Sequence, residues 1–273
     1  LTKYLDLLVD THAHLFAHQF DNDWQAVDQR AREAGLKHVL LPNIDSGSVE
    51  RMHRCQGFDP DFYRPMMGIH PTSVHPDSWE AEWRMVQQAW LDYPERYCAV
   101  GEIGLDYYWD TTHAETQREA FRRQLELARE VGRPVSIHTR ESIDDCIRLV
   151  SEAQNGYLSG VFHCFTGSEA QARQIIDLGF WLGIGGVVTF KNSTLKDSLR
   201  PLGPHKLVLE TDAPYLAPAP YRGKRNESAY VAVIARFLAE NVFETSLEEI
   251  AEVTTANAQA VFPLTSASTE ANK

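Results

Sequence analysis

Eight short β-rich runs alternate with amphipathic helical patterns, and this predicts an α/β protein built as a TIM-type (β/α)8 barrel. Two further observations support that class. Each run is separated from the next by a helical segment, so the strands must be parallel. No G-x-G-x-x-G follows the first run, as a doubly wound dinucleotide-binding sheet would require.

The first run, Leu5 to Val9, leads into Asp10-Thr11-His12-Ala13-His14. Trp24 to Ala34 reads as a helix stopped by Gly35. His38 to Leu41 is the second strand, and a helix around Val49 to Cys55 leads to the third, Tyr63 to Ile69, tipped by His70-Pro71. Trp79 to Leu91 is helical, and Tyr97 to Glu102 is the fourth strand. Thr112-x-x-Glu115 reads as a capping box for a helix with Phe121, Leu125 and Ala128 on one face and Gly132 at its stop. Pro134 to His138 is the fifth strand, Ile143 to Glu152 a helix and Gly160 to His163 the sixth strand. A helix opened by Ser168 closes near Gly179, and Phe180 to Ile184 is the seventh strand. A weaker helix around Ser193 to Leu199 precedes the eighth strand, Lys206 to Asp212. Two more helices follow, one with Tyr230, Val233, Ile234, Phe237 and Leu238, the other opened by the capping box Ser246-x-x-Glu249. One barrel domain over residues 1–264 is expected, with 265–273 a frayed polar tail.

The bulk composition narrows the function. A length of 273 residues with 43% hydrophobic content suffices for one large core. A net charge of −12 argues against wrapping long duplex nucleic acid, which needs many Lys and Arg, but not against holding a nucleic-acid end at a metal centre. Cys55, Cys98, Cys146 and Cys164 form no C-x-x-C pair, which speaks against a zinc ribbon or a disulfide framework and for a reducing compartment. No apolar run approaches membrane-spanning length. The expectation is a cytoplasmic protein with no membrane association and no obligate protein partner.

The polar residues carry the chemistry. In a strand, residues two apart share a side, so His12 and His14 project together. His70 ends the third strand, Glu102 the fourth, His138 the fifth, His163 the sixth and Asp212 the eighth. In a barrel the C-terminal ends of the strands face one mouth, where active sites form. Taken singly, such a His can cap loop carbonyls and such a carboxylate can cap the next helix. Together they form a metal-ligand set: His12, His14, Glu102, His138, His163 and Asp212. Six ligands exceed the three or four of one zinc site and suggest two divalent cations. A carboxylate can bridge two ions and an imidazole cannot, so Glu102, central in strand order, is the expected bridge. His12, His14 and Asp212 would complete one site, and His138 and His163 the other. The nitrogen-rich set favours Zn, Mn, Co, Ni or Fe over Ca, and makes a purely Mg site less natural among the candidates. Such a pair activates water for hydrolysis. Asp212 is the expected general base as well as a ligand. No G-x-S-x-G elbow is present, so no covalent nucleophile is needed.

These segments resemble the TatD family of metal-dependent deoxyribonucleases. The matching stretches are Asp10 to His14, Gly68 to Pro71, Gly101 to Asp106, Pro134 to Arg140, His163 to Ser168, Glu210 to Leu216 and the Asn257 to Phe262 region, which together span almost the whole chain. The resemblance implies a metallo-dependent hydrolase barrel, a divalent-metal centre and hydrolysis of ester bonds, specifically phosphodiesters in DNA. Position by position it implies the same six ligands, with Glu102 bridging. One departure is Arg225-Asn226-Glu227-Ser228, where the family commonly reads Arg-Asn-Glu-Pro, and the lost proline should loosen that loop.

Arg222, Lys224 and Arg225 on the loop after the eighth strand, and Arg140 just beyond His138, are candidate phosphate contacts, and His70 a candidate contact to phosphate or water. Tyr107, Tyr108 and Trp109 could stack nucleobases at the entrance or simply pack their loop. The expected function is a DNase acting on accessible ends of DNA, or of another phosphodiester substrate. The alternative is a metal-dependent hydrolase of C–N or ester bonds in a small molecule. Many barrels of that kind use a modified lysine at strand four, where this chain has Glu102. A non-catalytic binding barrel would have no need of six ligands.

Overall fold

The computed structural model describes residues 7–264 apart from residue 110. The expected tail at 265–273 and the first residues of the expected first strand lie outside them.

Among the described residues eight strands appear in the expected order: β1 Leu8–Asp10, β2 Leu36–Pro42, β3 Tyr63–Met66, β4 Val100–Asp106, β5 Val135–Arg140, β6 Gly160–Phe162, β7 Trp181–Ile184 and β8 Leu207–Leu209. All pair in parallel, in the order of the chain. The ladder has two seams, so β1 to β3 form one sheet and β4 to β8 another. Individual backbone bonds cross both seams. Cys98 N donates to Pro65 O at 2.9 Å and Met67 N to Ala99 O at 3.1 Å, between β3 and β4. Thr11 N donates to Leu209 O, and Asp212 N to His12 O, both at 2.9 Å, between β8 and β1. The circuit of a TIM-type barrel is therefore traced, without one continuous ladder.

Every residue of β4 is buried, as is fitting for a parallel strand covered on both faces. Nine α-helices occur among the described residues: α1 Trp24–Glu33, α2 Val49–Phe58, α3 Trp79–Asp92, α4 Ala114–Val131, α5 Ile143–Ala153, α6 Glu169–Asp177, α7 Leu195–Leu199, α8 Val231–Leu238 and α9 Leu247–Val261. On α4, Phe121, Leu125 and Ala128 face the core, and Gly132 ends it in the left-handed conformation, with φ 63°. Ser168 caps α6 with a complete capping box, and the Ser246 side chain accepts from Glu249 N at the start of α9. The expected box at Thr112 shifts. His113 occupies the cap of α4 without a side-chain bond, and Glu115 turns to Arg118, 2.6 Å away.

The strand ends differ from expectation in a way that matters for the site. Glu102 and His138 lie inside β4 and β5, not at their tips, because Ile103 to Asp106 continue to pair with Ile137 to Arg140. His12, His163 and Asp212 lie just past the ladders of β1, β6 and β8.

Candidate metal centre

His12 and His14 share a face because the extended backbone continues beyond β1. Ala13 N donates to Leu40 O on the β2 side, while His12 O and His14 N bond to the chain after β8. Both rings therefore turn inward, as expected from their spacing.

They meet Glu102. Its Oε2 lies 3.1 Å from His12 Nε2 and 3.5 Å from His14 Nε2. Its Oε1 lies 2.9 Å from His138 Nδ1, 3.1 Å from His163 Nε2 and 3.4 Å from His70 Nε2. Asp212 Oδ1 approaches His14 Nε2 at 3.6 Å and His12 Nε2 at 3.8 Å. All six expected ligands thus converge, and His70 joins them. Three overlapping groups have ligand atoms within 4.8 Å of one another: His12, His14 and Glu102; His12, His163 and Asp212; and His70, Glu102 and His138. His163 stands between the two expected sites. Its ring stacks on His12 at 3.7 Å while its Nε2 faces the Glu102 oxygen on the His138 side.

The donor chemistry fits divalent cations. Burial alone would raise the Glu102 carboxyl, yet His70, His12 and His163 hold it well below the ordinary carboxylate range. Burial likewise works against Asp212 ionising, but His14, His163 and His12 outweigh it and keep it low. His14 is opposed by burial and carried up to about 9 by Asp212 and Glu102. His163 and His138 are also raised against burial, by Glu102 with Glu210 and by Asp106 with Glu102 respectively. Buried carboxylates demand positive charge at the spot where imidazole nitrogens converge, and divalent cations would supply it there.

The rings are held from behind. Asp106 Oδ2 lies 2.8 Å from His138 Nε2, and Ser136 Oγ lies 3.1 Å from His12 Nδ1. Glu210 Oε1 sits 3.3 Å from His163 Nδ1, within ion-pair reach but off the angle of a hydrogen bond, and it also accepts from Cys164 N. Asp10 is fully buried and accepts from His12 N at 3.3 Å, Thr211 N at 2.9 Å and Thr211 Oγ1 at 2.6 Å, so it ties together the segments carrying His12 and Asp212. None of these supporting residues stands at a position that the strand pattern alone marks as a ligand. Alternation along a strand offered a signal for Asp106 from Glu102 and for Glu210 from Asp212, since residues two or four apart share a side.

His70 plays a different part from the other imidazoles. Its Nδ1 accepts from Thr72 N at 3.1 Å, so the neutral ring carries its proton on Nε2, which faces the centre. Burial lowers its pKa despite Glu102, in keeping with a neutral donor. Solvent reaches the cluster at Asp212, His138 and His70, whose side chains are 14–16% exposed, and not at His12. Two concavities of about 320 and 490 Å³ lie elsewhere, and neither contains any of these ligands.

The candidate phosphate contacts divide. Arg140 is exposed and lies over the rings of Tyr108 and Trp109. Arg222 is exposed over Phe190. Lys224 is exposed as well. Arg225 is committed: its guanidinium grips Asp23 with two bonds of 2.6–2.7 Å and Gln19 O with a third. Tyr107 hydrogen-bonds Asp145 and packs its loop. The segment around Ser228 is buried, and its neighbours are pinned, Asn226 by Thr211 O and Tyr215 O and Glu227 by Arg30, which offsets the expected loosening.

Known proteins resemble the chain over nearly its full length. A family model described as TatD related DNase matches residues 9–263. The uncharacterized metal-dependent hydrolase YabD of Bacillus subtilis is 38% identical over 258 residues, covering 94% of this chain and 99% of that protein. The crystal structure of YjjV, a TatD homologue from Escherichia coli, superposes with a TM-score of 0.87 at 29% identity, over 94% of this chain and 98% of YjjV. A TatD-family hydrolase from Entamoeba histolytica, at 22% identity, shares the fold with a TM-score of 0.84, over 96% of this chain and 100% of that one.

Proposed function

Because the chain belongs to the TatD-related DNase family, we propose that it is a metal-dependent hydrolase that cleaves phosphodiester bonds in DNA, working from accessible ends. One observation carries this furthest: the two oxygens of Glu102 face two different sets of imidazoles, as a bridging carboxylate would. Held by His12, His14, Glu102 and Asp212 on one side and by Glu102, His138 and His163 on the other, two divalent cations of Zn, Mn, Co, Ni, Fe or Mg would polarise the phosphate and lower the pKa of the attacking water.

The remaining work belongs to the side chains. Asp212 is ionised, reached by solvent and next to His14, and it accepts the proton of the attacking water. His70 Nε2 donates towards a substrate oxygen, with Thr72 fixing its tautomer. Ser136, Asp106 and Glu210 keep the rings from turning. Arg140 and Arg222 offer cations to the flanking phosphates, and Arg225 instead anchors its loop.

A metal-supplemented screen tests the proposal with single-stranded DNA, duplex DNA, RNA, small phosphodiesters, and amide and lactone substrates. Turnover of DNA, with products shortened from an end, is the expected result. Turnover of amides or lactones alone would replace it with the small-molecule alternative.

A further inference from the structure

Several arginines are paired with carboxylates, among them Arg30, Arg51, Arg118, Arg148 and Arg225. Arg140 has no carboxylate partner among the described residues. Its guanidinium lies 3.7 Å from the ring centre of Tyr108 and 5.3 Å from that of Trp109. These two rings meet edge to face at 5.0 Å and remain 50% and 70% exposed. A loop that merely packed would turn such rings inward, as Tyr107 does, with its hydroxyl fixed between Asp145 and Arg118.

The exposed pair is also fixed relative to the metal centre. Asp106 Oδ1 accepts from Tyr108 N at 3.0 Å and Trp109 N at 3.4 Å, while its other oxygen holds His138 Nε2 at 2.8 Å. Gln117 in turn clamps the backbone of Asp106 through both its amide atoms. In the β4–β5 register Arg140 stands beside Asp106, two residues beyond His138, or roughly 7 Å at the rise of a strand. One carboxylate thus sets both a ligand ring and an exposed aromatic face.

We propose that Tyr108, Trp109 and Arg140 form a nucleobase-binding ledge, on which a base adjoining the scissile phosphodiester stacks while Arg140 meets its phosphate. This rests on the phosphodiesterase function proposed above and adds the group that positions the strand. Stacking accepts every base, because each has a π-face, so the ledge grips an unpaired strand without reading its sequence. Base pairs inside a duplex are stacked on both faces and offer none to the ledge.

The test separates the ledge from the chemistry. Metal-loaded protein is titrated with a five-nucleotide single-stranded DNA carrying phosphorothioate linkages, and with the same backbone carrying abasic residues. Trp109→Ala and Tyr108→Ala should weaken the first by about tenfold and the second by less than about twofold, with Trp109→Phe restoring most of the affinity. Metal content, measured on each variant, should match the wild type. Equal losses on both probes, or no loss on either, would overturn the ledge. Hydrolysis of the unmodified oligonucleotide is followed in parallel. Base-dependent binding without any cleavage would leave the ledge standing and remove the phosphodiesterase function; cleavage without base-dependent binding would do the reverse.

Discussion

Glu102 is almost fully buried and lies within 3.5 Å of five imidazole nitrogens. An ionised carboxylate removed from water costs several kcal/mol unless its surroundings compensate, so those rings and the carboxylate hold one another in place. Glu102→Ala should therefore lower bound metal from about two ions per chain to below one and abolish hydrolysis, with the far-UV circular dichroism unchanged. Asp212→Asn should lower kcat by about 10²–10⁴-fold with a smaller change in KM, the usual range for a lost proton acceptor. Full activity in either variant removes that residue's assigned role. The six candidate ligands were legible in the sequence because each is a His or acid in or just past an apolar run that reads as a strand. Arg225 was not separable from Arg140 there, because the distinction depends on Asp23, which is 202 positions away in the chain.

Among the elements, β7 shows how a strand with no ligand of its own serves the centre. Gly183 on β7 faces Glu210, and a Cβ placed there would lie 2.2 Å from Glu210 Oε2. Any larger residue must push that carboxylate aside, and with it the support behind His163. Gly183→Ala should cost about 1–3 kcal/mol from overpacking and weaken metal affinity roughly 10- to 100-fold. Chemical denaturation and metal titration measure the two effects separately; wild-type affinity in a destabilised variant would deny Glu210 its supporting role. Helix boundaries followed from caps and glycines where these are local, as at Ser168, Ser246 and Gly132. The ends of β4 and β5 did not, because Ile103 to Asp106 are extended by pairing with a neighbour and not by any signal in their own residues.

At the scale of the whole molecule, the candidate ligands come from the β1, β4, β5, β6 and β8 regions, on both sides of the seam between β8 and β1. Ions held there would join segments that are linked across this seam by hydrogen bonds outside the strand ladders, such as Thr11 N to Leu209 O and Asp212 N to His12 O. Chelation should lower the thermal midpoint by roughly 10 °C, equivalent to about 5 kcal/mol for two sites each occupied at a hundred times Kd, and adding the cation back should restore it. An unchanged midpoint, with metal loss verified by elemental analysis, would mean that the fold does not depend on the ions. Among the described residues no helix is long and apolar enough to cross a membrane.

The sequence by itself determined the alternation of strand and helix, and with it the parallel order and the mouth where His12, His14, Glu102, His138, His163 and Asp212 gather. Those features are local: periodicity of apolar residues fixes an element, and alternation along it fixes which side chains share a side. Only the tertiary structure decided which Glu102 oxygen faces which ring, that Asp106, Glu210, Ser136 and Asp10 hold the candidate ligands, and that Arg140 lies over Tyr108 while Arg225 is paired with Asp23. Each of these is a contact between groups set by how the barrel closes, and a distance between side chains on different strands leaves no period or composition in the chain.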